Sequence, residues 1–184
     1  MTGRPSSPSL LVVALVAAAA GLAGCRADRS PRRVPDDGAP CSAVMPGAPK
    51  SGDRTFRLAS VVVTERMWSL VPPAATVEPP GDRTAYFVRR ETVPPGSALK
   101  GAALLDAAAA RITRGIELQD GTTPVVAKVP TGEGEAVDLR WSGGKARNAT
   151  RLLLMPGGYC EVTILGAQTD ADVASFLGSG KVRP

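Results

Sequence analysis

The sequence predicts an α+β domain: an antiparallel sheet of about five to seven strands with one main helix and a short C-terminal helix. Three observations predict it. An Ala- and Leu-rich run sits mid-chain, β-branched segments separated by glycine turns follow it, and a capped apolar stripe comes last.

The body reads as residues 54–184, with its first strand near Thr55. Phe56–Val63 and Trp68–Val71 carry β-branched and aromatic residues and form a strand pair or one bent strand. Pro72, Pro73, Pro79 and Pro80 bracket a loop, since proline offers no ladder donor. Thr84–Val93 is the next strand, ended by Pro94–Pro95–Gly96. Within it Phe87, Arg89 and Glu91 alternate with Tyr86, Val88 and Arg90, so neither face is cleanly apolar and partial exposure is expected. Ser97–Gly115 is the main helix. Ser97 can cap it, Leu105, Ala108, Ala109 and Ile112 share a face, and Gly115 stops it. Asp120–Gly121, between Ile116–Gln119 and Thr122–Val129, signals a tight hairpin. Glu135–Trp141 and Ala149–Met155 are joined through Ser142–Gly143–Gly144, and Pro156–Gly157–Gly158 turns the chain into Tyr159–Leu165. Thr169 caps the last helix. Asp170 and Asp172 stand in its first turn, and Val173, Phe176 and Leu177 form its stripe.

That order of elements resembles the PsbP-like sandwich, in which a meander such as Glu135–Trp141, Ala149–Met155 and Tyr159–Leu165 precedes a closing helix such as Asp170–Leu177. The resemblance implies a non-catalytic accessory or binding role.

The N-terminus reads differently. Arg4 is the only charge before Leu10–Gly24, an apolar run ending in small residues, which describes an export signal over residues 1–24. The run is shorter than the roughly 20 apolar residues of a membrane span. Its last positions, Leu22, Ala23, Gly24 and Cys25, resemble the lipobox of bacterial lipoproteins. The resemblance implies diacylglycerol on the Cys25 sulfur and cleavage before Cys25. Arg26 stands where that family places an inner-membrane retention Asp, which favours the outer membrane, periplasmic side, in a two-membrane organism. Residues 25–53 then read as a lipidated cysteine and a Pro-rich tether, with Pro31, Pro35, Pro40, Pro46 and Pro49 among few large apolar residues.

With Cys25 acylated, Cys41 and Cys160 remain, and an exported chain sits where disulfides persist. A bond between them is expected; two unpaired thiols are the alternative. Formal charge is +5, or +4 once Arg4 leaves with the leader, and it is spread along the chain. Nucleic acid is therefore not an expected partner. The partners expected are membrane lipid through Cys25 and another envelope protein, with the chain itself a monomer.

Candidate chemistry is thin. The chain has no histidine, which removes Ser–His–Asp and Cys–His sites and the commonest metal ligand. Ser97–Ala98–Leu99–Lys100 fits the S-x-x-K spacing of penicillin-binding enzymes, but the S-D-N and K-T-G companions are missing. Gly178–Ser179–Gly180–Lys181 lacks the frame of a phosphate loop. The acidic pairs Asp36–Asp37, Glu133 with Glu135, and Asp170 with Asp172 read as tether, turn and helix-start charges. Lys145, Arg147 and Arg151 read as a basic hairpin tip, Asn148–Ala149–Thr150 as a chance sequon, and Trp68 and Trp141 as core. No catalytic residue, metal ligand or cofactor is expected. The function expected is a membrane-anchored envelope lipoprotein acting as a binding module. The alternatives are a carrier of a small apolar ligand and a Ser/Lys or carboxylate hydrolase.

Overall fold

The computed structural model describes residues 30–35, 38–71, 84–132 and 134–183. In chain order its elements are β1 (Arg32–Val34), β2 (Cys41–Met45), β3 (Lys50–Leu58), β4 (Val61–Leu70) and β5 (Ala85–Thr92). Then come α1 (Ala102–Asp120), β6 (Val125–Thr131), β7 (Gly134–Gly143), β8 (Ala146–Met155), β9 (Gly158–Ala167), α2 (Asp170–Ser179) and β10 (Lys181–Val182). The fold is α+β, as the sequence predicts. A seven-stranded sheet runs β3-β4-β5-β9-β8-β7-β6, and a three-stranded sheet runs β1-β2-β10. Every pairing is antiparallel.

The large sheet is the middle layer. α1 lies across one face, touching β3, β7, β8 and β9; α2 and β2 lie on the other, touching β8, β9 and β5. Each face has its own core. Leu104, Leu105 and Ala108 of α1 meet Leu139, Leu152 and Tyr159 on the first. Val173, Phe176 and Leu177 of α2 meet Val162, Ile164 and Leu153 on the second, together with Ala43 and Met45 of β2. Tyr86 and Phe176 stack edge-on there, with ring centroids 5.0 Å apart.

Three local expectations are corrected. First, the segment read as tether supplies β1, β2 and the start of β3. Its few apolar residues fall at strand period: Cys41, Ala43 and Met45 are all buried, as is Val34. Second, the first hairpin turns at Ala59–Ser60 inside the stretch read as one strand, with β3 and β4 in register from Leu58↔Val61 to Lys50↔Ser69. Neither turn residue is Gly or Asn, and Ala59 takes φ +51°, so no usual turn signal marks it. Third, α1 runs 102–120 rather than 97–115. Gly101, at φ +58°, precedes its first turn, and Gly115 sits inside it. A mid-helix Gly costs about 1 kcal/mol, but Ile116 continues the apolar stripe and is buried. Asp120–Gly121 is accordingly the helix end, with Gly121 left-handed and bonded back to Glu117 O at 3.2 Å, and β6 begins only at Val125.

α2 starts as expected. Thr169 accepts from the Asp172 backbone N–H at 3.1 Å and Asp172 reaches back to the Thr169 N–H at 3.1 Å, a capping box.

Candidate functional site

Antiparallel register decides which polar side chains share a face. Glu65 on β4 lies opposite Glu91 on β5, and Arg89 on β5 lies opposite Glu161 on β9. All four point toward α1. The three glutamates are 0%, 0% and 1% exposed, and an unpaired charge so buried would cost several kcal/mol, roughly. Arginines supply the pairing. Arg54 of β3 donates to Glu65 Oε2 at 2.8 Å, and Arg89 donates to Glu161 Oε1. From α1, Arg111 donates to Glu91 Oε1 at 3.3 Å and to the Tyr159 hydroxyl at 3.4 Å, and comes within 3.7 Å of Glu161 Oε2. The Arg111 guanidinium stacks 4.4 Å from the Phe56 ring centroid. The chain of contacts continues inward: Thr163 donates to Glu161 at 2.9 Å, and the Thr150 and Thr163 hydroxyls are 2.8 Å apart.

The three glutamates are not equivalent. Glu91 is pushed up to about 9, first by burial and then by the Glu161 charge, against the pull of Arg111. At neutral pH it keeps its proton. Arg54 is raised by its hydrogen bond to Glu65. Glu91 Oε2 has no hydrogen-bond partner among the described residues. A carboxyl group that holds its proton at neutral pH has the character of a general acid. Here, however, the carboxyl groups are closed off by the sheet, α1 and the arginines, so a substrate has no path to them in this conformation. Gly158 belongs to the same construction. A Cβ there would strike the Glu91 backbone carbonyl, so the turn glycine is also what lets β9 close on β5.

The opposite face is held covalently. Cys41 of β2 and Cys160 of β9 form a disulfide, with Cα atoms 5.4 Å apart and 119 positions between them in sequence. Nearby, Asp138 is 3% exposed and accepts from Arg151 at 2.7 and 2.9 Å.

The other candidates disperse. Leu22, Ala23, Gly24 and Cys25 lie outside the described residues, as do Asp36, Asp37 and Glu133. Ser97 does not cap α1; its hydroxyl accepts from the Leu99 N–H at 3.2 Å in the preceding turn, and Lys100 is exposed. Glu135 pairs with Lys128 at 3.3 Å on the surface. Lys145 is at the β7–β8 turn, whereas Arg147 pairs with Asp170 at 2.8 Å and Arg151 is mid-strand, so the three do not form one tip. Trp68 is core; Trp141 is half-buried with its ring N–H on Asp120 at 3.0 Å. Asn148 accepts from the Gly166 N–H at 2.8 Å. Gly178 and Ser179 end α2, and Lys181 lies in β10. No cluster of three His, Cys, Asp or Glu suited to a metal occurs among the described residues.

The glutamate–arginine cluster was not anticipated from the sequence. Its one sequence signal is the mixed alternation of residues 84–93, which a half-buried strand with an ionic face produces. No protein-family model matches the chain, and no curated protein or solved structure matches it significantly.

Proposed function

We propose that the chain is an exported lipoprotein, cleaved before Cys25 and held to the cell envelope by acyl chains on that cysteine, with a body that works as a non-catalytic binding or accessory module. The supporting observation is the Cys41–Cys160 disulfide. It belongs to an oxidising compartment outside the cytosol, and it leaves Cys25, at the end of the apolar leader, as the remaining cysteine of three. Two or more acyl chains give stable anchoring where one is marginal.

Binding is favoured over hydrolysis because the acid groups of unusual character are enclosed and the Ser97 hydroxyl is engaged by the backbone. A carrier of an apolar ligand has little support: the hollow between Tyr86, Phe176, Val44 and Pro46 is ≈ 180 Å³, below the roughly 300–1,000 Å³ of ordinary ligand sites, and the larger hollows of ≈ 390 and ≈ 530 Å³ are lined by Lys128 and Glu135 and by Lys145 and Arg147. Fractionation of cells expressing the wild type and Cys25→Ala tests the anchor. The wild type is expected in the membrane fraction at processed size, and the variant as an unprocessed precursor. Equal membrane retention of a processed variant would sink the proposal.

A further inference from the structure

Arg32, the first residue of β1, stands seven positions after Cys25. A fully extended chain of that length spans about 25 Å, far less than a tether running to residue 53 would. An anchor at Cys25 therefore keeps the body close to the bilayer, and the chain joins it on the side that carries β1, β2 and β10.

That side also carries basic charge. Arg32 and Arg33 stand in β1, and Lys181 and Arg183 in and just after β10, with no Asp or Glu in β1, β2 or β10. Lys181 and Arg183 are both exposed, on either side of the buried Val182. The neighbouring part of the large sheet adds a like-charge contact. Arg66 and Arg90 are direct partners across β4 and β5, on the same face as Cys160 and hence β2. Like charges directly opposite in a sheet are unfavourable. Arg66 has Asp53 at 3.8 Å, while Arg90 makes no ion pair among the described residues. An anionic surface would relieve this.

We infer that the face bearing β1, β2 and β10, with Lys181, Arg183, Arg66 and Arg90, lies against anionic lipid headgroups, so that the protein sits on the membrane rather than above it. This rests on the Cys25 anchor for its geometry, and its test is independent of that anchor. The chain from 26 to 184, which contains every described strand and helix but no Cys25, is sedimented with phosphatidylglycerol or phosphatidylcholine vesicles at low and high salt. Binding to the anionic vesicles is expected to be at least about tenfold tighter and to weaken with salt, since each basic residue near such a surface contributes on the order of a fivefold factor. Reversal of the four residues (Arg66→Glu, Arg90→Glu, Lys181→Glu, Arg183→Glu) should abolish the preference, while Lys100→Glu with Lys145→Glu should leave it. Circular dichroism checks folding, and the milder Lys181→Gln with Arg183→Gln pair serves if the reversal unfolds. Equal binding to both vesicles, or equal loss in the Lys100/Lys145 control, overturns the inference. Either result leaves the acylation of Cys25 to be judged separately, by fractionation and by the mass of the N-terminal peptide.

Discussion

The two faces of the large sheet are closed by opposite means. On one, β2 and α2 are apolar and a disulfide bolts the layer to β9. On the other, α1 covers only part of the sheet with apolar residues, and the rest is sealed by three glutamates interleaved with Arg54, Arg89 and Arg111. The covalent face tolerates a short, proline-rich segment as its cover because the bond limits how far that segment can stray in the unfolded chain. The ionic face has no such restraint. Its closure depends on every charge finding its partner, which makes it specific in geometry and sensitive to pH.

Breaking the bond tests the first half of this contrast and should have the largest effect. Cys41→Ser with Cys160→Ser opens a 119-position loop, and the chain-entropy model assigns such a loop about 4–5 kcal/mol. Urea unfolding should show a loss of this order. Hydrogen exchange should quicken in β1, β2 and β10 while α1 stays protected; equal quickening in α1 would mean that the faces are not independent.

Next comes Glu161→Leu, which leaves Arg89 and Arg111 short of a partner and should cost about 3 kcal/mol or more. Here α1 should be the element that loses protection. A neutral result would show that the cluster does not seal that face.

A subtler prediction concerns Glu91. Its pKa in the folded chain, about 9, lies above the ordinary 4.5, so the native state holds a proton that the unfolded chain has released. Stability should therefore fall as pH rises between about 4.5 and 9. Glu91→Gln cannot ionise and should flatten that slope, raising stability at pH 8 relative to wild type. If urea midpoints at pH 5, 7 and 9 keep the same slope in the variant, the proton belongs elsewhere.

The smallest effect separates a local device from either face: Thr169→Ala removes the α2 cap and should cost about 1 kcal/mol, with no change in the pH slope.

Much of the covalent face was legible. Thr169, Val173, Phe176 and Leu177 announce α2, and with Cys25 set aside only Cys41 and Cys160 can pair. What was not legible there is β2, because alternate Cys41, Ala43 and Met45 are too few, among prolines, to outweigh the look of a tether. The ionic face was hidden for a different reason. Glu65, Glu91 and Glu161 are acidic residues whose burial depends on partners from β3, β5 and α1, far apart in sequence, and no local pattern encodes that meeting. The helix boundaries failed on glycine: Gly115 and Gly121 look alike in sequence, and only the buried Ile116 between them decides which one ends α1.

The proposed anchor is a lipid on Cys25. Mass spectrometry of the N-terminal peptide, taken from protein extracted from membranes with detergent, tests it most directly. The account predicts a peptide that begins at Cys25 and bears diacylglycerol on its sulfur. A free thiol at Cys25, or a chain that begins at any other residue, would contradict it.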